Sequence, residues 1–207
     1  MSDIDHGNLF VVAAPSGAGK TSLVNALIEK TTRVHLSVSH TTRTPRPGEV
    51  DGVHYHFVQR REFERMVAAN EFLEHAAVFG NRYGPSRQTV QQKIHSGCDV
   101  ILEIDWQGAR LVKIAMPNAI GIFVLPPSRA TLQQRLLSRG QDSVATIDQR
   151  MAESCDEISH FDEFDFIVVN DRFEIALNDL MCIVRSARLR KHSQSLRLQT
   201  LINSLLA

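Results

Sequence analysis

Two glycines, a lysine and a hydroxyl stand in close order in VVAAPSGAGKTS, residues Val11 to Ser22. Gly17 and Gly19 allow the backbone to turn so that successive N–H groups converge on an anion. Lys20 adds a mobile positive charge, and Thr21 offers a hydroxyl suited to a hard cation such as Mg²⁺. The order is that of the phosphate-binding loop G-x-x-x-x-G-K-[ST], with Ala14 where the first glycine usually stands. That position closes the preceding strand, ahead of the cradle, so alanine fits there if its φ is negative. Ala14, Pro15, Ser16, Gly17, Ala18, Gly19, Lys20 and Thr21 therefore form the candidate cradle for a triphosphate tail, with Lys20 reaching the β- and γ-phosphates.

A second concentration of chemistry lies in SVSHTTRTPRPGEVDGVHY, which gathers Ser39, Arg43, Arg46 and Tyr55 in one turn-rich stretch. Guanidinium forks and hydroxyls are what a small phosphate monoester needs. Farther along, LQQRLLSRGQDSVATIDQRM places Arg135 and Arg139 four apart, on one helical face, with Arg150 beyond the break at Gly140. Arginines on a closing flap would neutralise charge spread over a transferring phosphoryl group and expel water. Elsewhere such residues are ordinary solvated surface. Asn170 and Asp171 end the last apolar run, where either an adenine contact or a cap on the next helix would suit them. His54 and His56 form an H-x-H pair on one strand face, but no third ligand accompanies them and no metal site is expected there.

These groups need a scaffold, and the apolar runs supply one. NLFVVAA, CDVILEID, AIGIFVL and FDFIVVN read as buried strands. TSLVNALIEK, WQGARLVKIA, RATLQQRLLSR and FEIALNDLMCIVRSARLR read as helices between and after them. Strands alternating with helices predict an α/β fold with a largely parallel sheet. Two stretches break that rhythm. From Val34 to about Tyr83, Pro45, Pro47, Gly48 and Gly52 mark turns, and VHYHF alternates so that Val53, Tyr55 and Phe57 share a strand face. A small inserted antiparallel sheet followed by the helix RREFERMVAA is expected there. From Arg139 to about His160 the chain is polar and reads as a helical flap.

Composition excludes several roles. Lysine plus arginine equals aspartate plus glutamate at 23 each, so no net field draws the molecule to nucleic acid or anionic lipid. The basic RSARLRK late in a helix suits the helix dipole. No run approaches the roughly 20 apolar residues that cross a bilayer, and MSDIDHGN is acidic where a secretion signal would be basic. A cytoplasmic protein is expected. Cys98, Cys155 and Cys182 make no C-x-x-C pair and read as small buried hydrophobes. The terminal LRLQTLINSLLA carries an apolar stripe that suits packing on the body or on a second subunit, which leaves a homodimer open.

The stretch SVSHTTRTPRPGEVDGVHYHF, with EFLEHAAVFGNRYG and LEIDWQG, resembles the guanylate kinases, enzymes that phosphorylate GMP from ATP. The likeness runs from the first strand to the last helix. It implies a P-loop NTPase core of a parallel sheet flanked by helices (residues 1–36, 87–138 and 161–207), a small mixed β region that binds GMP (37–86) and a helical lid (139–160). It further implies that Ser39, Arg43, Arg46, Tyr55 and Tyr83 contact the GMP phosphate, that Glu74 and Asp105 face the guanine, and that Glu49 braces the site. Arg135 and Arg139 would bind the ATP side, Arg150 would bridge both phosphate chains, and Lys20 with these arginines would carry catalysis.

Physical chemistry agrees with the guanine assignment. Guanine presents N1–H and an exocyclic amine, both donors, and an ionised Glu74 is purely an acceptor. Two positions depart from the family pattern. Pro85 follows RYG where a serine or threonine usually helps hold the base, so one neutral hydrogen bond of about 0.5–1.5 kcal/mol is lost unless Ser86 replaces it. Glu103 stands where aspartate is usual, and its longer carboxylate could still order magnesium-bound water. The reading is ATP:GMP phosphoryl transfer with Mg²⁺, with dGMP as a further acceptor. The alternative is a non-catalytic guanylate-kinase-like binding module, against which stand the intact loop and flap arginines. A regulatory GTPase is disfavoured because no N-K-x-D motif is present.

Overall fold

The computed structural model describes residues 6–78, 80–138 and 144–207. The chain begins with β1 (Leu9–Ala13), α1 (Lys20–Lys30), β2 (Val34–Leu36), β3 (Ser39–Thr41), β4 (His56–Phe57) and α2 (Arg60–Ala68). It continues through β5 (Ala76–Val78), β6 (Asn81–Pro85), α3 (Arg87–His95), β7 (Asp99–Glu103), α4 (Trp106–Ala115) and β8 (Ile120–Leu125). The last elements are α5 (Arg129–Leu137), α6 (Val144–Ser159), β9 (Phe166–Val169), α7 (Phe173–Arg188), α8 (Lys191–Arg197) and α9 (Gln199–Leu206).

The main sheet has strand order β2-β7-β1-β8-β9, and all four of its pairings are parallel. β1 sits at its centre, so both of its faces need cover. Its residues divide by the two-residue period of a strand. Phe10 and Val12 pack on the α1–α7 side with Leu23, Leu27, Leu177 and Leu180. Leu9 and Val11 pack on the other side with Val90, Ile94 and Val112 of α3 and α4. The strand has no polar face because it has no wet face. The expected helices at α1, α4, α5 and α7 are all present.

The second sheet, of order β4-β3-β6-β5, is mixed, as the resemblance implies, and not purely antiparallel as the turn-rich pattern suggests: β3 and β4 are parallel and the other pairs antiparallel. VHYHF is not one strand either. Gly52 has φ +74, and Val53 and His54 both donate backbone hydrogen bonds to the Val50 carbonyl, so these residues form a turn. Only His56–Phe57 joins the sheet. His54 therefore does not share a strand face with His56; its Nδ1 accepts from the Val50 N–H at 3.0 Å. Local turn bonds overrode the period-two pattern.

Other expectations also need correction. Val34–Leu36 belongs to the parallel sheet as its edge, too short to stand out by pattern. α3 buries only Val90 and Ile94, which left little helical signal, although Ser86 caps it by accepting from the Thr89 N–H at 3.3 Å. None of the cysteines is buried: Cys98 is half-buried, while Cys155 and Cys182 are exposed because they lie on the outer faces of α6 and α7. α9 does not pack on the body, since it buries none of its residues.

One buried charge ties the far end of the sheet to α7. Asp99, 2% exposed, accepts from the Asn8 N–H at 2.7 Å, the Asn8 side chain at 2.9 Å and Arg188 Nε at 2.7 Å. Removing one partner of such a group leaves the others unpaired. Asp99→Ala should cost about 2–4 kcal/mol, read as a lower midpoint in urea unfolding.

Candidate active site

The phosphate loop links β1 to α1 as the sequence requires. Gly17 and Gly19 have φ +92 and +89, a region that only glycine enters cheaply. Among the described residues the only non-glycines with positive φ are Arg33 and Asn70, so Ala14 meets the condition set for it. It packs against the main core. A Cβ on Gly19 would lie 2.4 Å from Asn170 Nδ2, which shows how closely the loop is backed.

That backing defines Asn170. Its side chain, 5% exposed, donates to the Ala18 carbonyl at 2.7 Å. It does not cap α7, whose N-cap is Arg172 without a side-chain bond. Arg135 reinforces the same contact, donating to the Ala18 carbonyl at 3.4 Å and the Asn170 carbonyl at 3.1 Å. Both residues thus stand behind the cradle and shape it. Arg150 lies half-buried on α6. Arg139 lies outside the described residues.

In front of the loop opens a cleft of about 540 Å³ lined by Lys20, Thr21, Ser39, Tyr55, Glu74, Tyr83, Glu103, Asp105 and Glu157, with apolar walls from Leu36 and Leu102. A smaller cavity of about 90 Å³ beneath Trp106 contains none of the expected site residues. Lys20 Nζ donates to the Ile104 carbonyl at 3.1 Å. Burial lowers the Lys20 pKa, while the charges of Glu103, Glu157 and Asp105 oppose that shift. The Thr21 hydroxyl donates to the Glu103 carboxylate. A hydroxyl beside a carboxylate is an all-oxygen donor set that fits Mg²⁺. Among the described residues no group of three His, Cys, Asp or Glu could hold a metal unaided.

The inserted sheet presents the other half of the cleft. Glu49 grips Arg43 with two hydrogen bonds, at 2.7 and 2.9 Å, and accepts from the Arg46 backbone N–H at 2.7 Å. The bond to Arg43 holds the Glu49 carboxyl at about 2, well below its usual range. Arg43 also lies over the Tyr55 ring, 5.4 Å from its centroid, and the Tyr55 and Tyr83 rings meet edge-on at 5.9 Å. Arg46 itself is exposed.

Glu74 is the most unusual group. Its residue is 7% exposed, and Oε2 is buried with no hydrogen-bond partner among the described residues. Burial, with a lesser push from Asp105, raises its pKa to about 7. Burial thus works against the ionised form expected of this carboxylate. Asp105 caps α4, accepting from the Gly108 N–H at 2.7 Å, and this fixes its carboxylate beside Glu74. Of the two departures, Pro85 does not line the cleft. Ser86 next to it points its oxygen at the Thr89 amide of α3.

Sequence reasoning missed Glu157. On α6 it reads as one more polar residue of a solvated helix, yet its Oε2 accepts from the Ser16 N–H at 3.1 Å. Nothing local in DEIS marks that contact, because it spans 141 residues.

A phosphate loop at the carboxyl edge of a parallel sheet, facing an inserted second sheet across a cleft, defines a P-loop α/β protein. The sequence profile described as guanylate kinase matches residues 6–187. A guanylate kinase from Shewanella oneidensis is 55% identical over 202 residues, covering 97% of this chain and 98% of that protein. One from Nitrosococcus oceani is 56% identical over 200 residues, with 97% and 98% covered. The crystal structure of guanylate kinase from Anaplasma phagocytophilum matches with a TM-score of 0.73 at 32% identity, covering 90% of this chain and 89% of that one. The chain belongs to the guanylate kinase family.

Proposed function

We propose that the protein transfers the γ-phosphoryl group of ATP to GMP, and to dGMP, yielding ADP and GDP. The observation that carries this reading is Glu74: a buried, unpartnered carboxyl in the same cleft as Lys20 and Thr21. Two carboxyls, Glu74 and Asp105, facing one base match a ligand edge made of donors, and guanine N1–H and N2–H₂ form such an edge. Adenine lacks that adjacent donor pair, and a buried hydrogen-bonding site rejects such a mismatch by about 10⁴-fold or more.

In this reading Ser39, Arg43, Arg46, Tyr55 and Tyr83 hold the acceptor phosphate, with Glu49 keeping the Arg43 fork in plane. Loop amides and Lys20 hold the donor. Arg135 and Asn170 keep the loop rigid from behind, and Arg150 and Arg139 meet the phosphates from the lid. The acceptor oxygen is already largely ionised near neutral pH, so no general base is needed and no covalent enzyme intermediate forms. Thr21, with Glu103 through water, would hold Mg²⁺, which neutralises phosphate charge when bound. Residues 37–86 act as the acceptor arm and 139–160 as the lid on the core, in a protein that works in the cytoplasm without nucleic acid or membrane. A coupled ADP-release assay with GMP, AMP, UMP and CMP in parallel tests the assignment. Turnover with GMP and dGMP alone is expected; equal turnover with AMP would overturn it.

The state of Glu74 sets a pH dependence. Guanine donors need its ionised form, and without ligand that form gives way to the acid below about pH 7. Guanosine, which lacks the titrating phosphate, should therefore bind more tightly as pH rises from 5.5 to about 8 and then level off. Calorimetry at stepped pH checks the sign; affinity independent of pH would remove Glu74 from the base site.

A further inference from the structure

The contact between α6 and the phosphate loop joins two parts of the molecule for which the reading above gives no link. Glu157 stands near the end of α6, half-buried in the main cleft. Its Oε2 accepts from the Ser16 N–H at 3.1 Å. Lys20 is the cation that favours its charge, while Asp105 and Glu153 oppose it and burial penalises it. A carboxylate among other carboxylates gains little from this place except an amide of the loop and the field of Lys20. Those are the groups that an incoming phosphate chain also seeks.

The neighbours of Glu157 show what would move with it. Ile158 packs on the cluster of Leu132, Leu136 and Met151 that binds α6 to α5. Two residues later, the His160 ring stacks on Trp106 with centroids 3.4 Å apart and planes 13° from parallel. Trp106 directly follows Asp105, one of the two carboxyls at the base site. A short run of chain therefore connects the loop's Ser16 amide to the base-reading end of α4.

We propose that Glu157 is an internal anion that occupies the rim of the phosphate loop until ATP displaces it, and that its release frees the end of α6. This rests on the reading of the loop as the ATP phosphate site. Incoming phosphate and Glu157 repel one another, so the carboxylate weakens binding and makes it conditional on moving α6.

Glu157→Gln keeps an oxygen that can accept from Ser16 but removes the charge; Glu157→Ala removes both. Inorganic tripolyphosphate and ATP, titrated by calorimetry, are expected to bind both variants about tenfold more tightly than the parent protein. Trp106 is the sole tryptophan of the chain, and its fluorescence reports the His160 stack. ATP should change it in the parent, and Glu157→Ala should show part of that change before ATP is added. Circular dichroism verifies that the variants fold. Unchanged or weaker binding in folded Glu157→Gln would overturn the proposal and make Glu157 a brace for the loop. If Lys20→Ala binds ATP as well as the parent, the phosphate-site reading itself fails instead.

Discussion

Lys20→Ala should turn over at least about 10²-fold more slowly than the parent while melting at nearly the same temperature. Lys20 projects from the first turn of α1 into the cleft, where it donates to the Ile104 carbonyl. Three carboxylates, Glu103, Glu157 and Asp105, surround it. In the proposed reading it is thus a cation held for the donor phosphates, with little packing to lose. Charge accumulates on phosphoryl oxygens in the transition state, and a preorganised cation there lowers the barrier more than it strengthens ground-state binding. Steady-state rates with saturating ATP and GMP read the effect directly. Turnover equal to the parent would dismiss the loop as the donor site.

Glu74→Gln should reduce kcat/KM for GMP by about 10²- to 10⁴-fold while leaving ATP affinity within about twofold. Glutamine brings an NH₂ toward guanine donors, so up to two charge-assisted bonds of about 1.5–3 kcal/mol each are lost. Stability should move the other way. Glu74 titrates near 7 in the folded protein against 4.5 ordinarily, so the native state binds the extra proton and loses stability as pH rises between those values. Above pH 7 the substitution removes an unpaired buried charge, and the ligand-free variant should unfold at equal or higher denaturant concentration than the parent. A variant that loses ATP and GMP binding equally would place Glu74 outside base recognition. The two readouts separate a functional carboxyl from a merely structural one.

Much of the scaffold was legible because central strands and amphipathic helices announce themselves by burial. β1, β7, β8 and β9 are apolar runs, and α1, α4, α5 and α7 follow them at helical spacing. The phosphate loop was legible because Gly17, Gly19, Lys20 and Thr21 are close neighbours in sequence. The inserted sheet was legible as an interruption, but its pairing was not. Turn bonds at Val50 and Gly52 override the alternation of VHYHF, and no local pattern says whether β4 runs parallel to β3. Site roles that depend on distant partners were harder still. Asn170 carries no mark in sequence of its bond to the Ala18 carbonyl, and Glu157 carries no mark of Ser16. Resemblance placed Glu74 at the base; only its burial and missing partner exposed its displaced titration.

The inserted segment has a small core of its own. Phe63, Met66 and Phe72 are buried together beneath α2, apart from the two clusters that cover the main sheet, and Phe63 stacks on Phe72 at 4.5 Å. Leu73 of the same segment is the exception, 5% exposed and packed with Leu9, Val11 and Val90 against the main sheet. Any swing of the insert would thus carry its stacked rings along intact and turn about the anchor at Leu73.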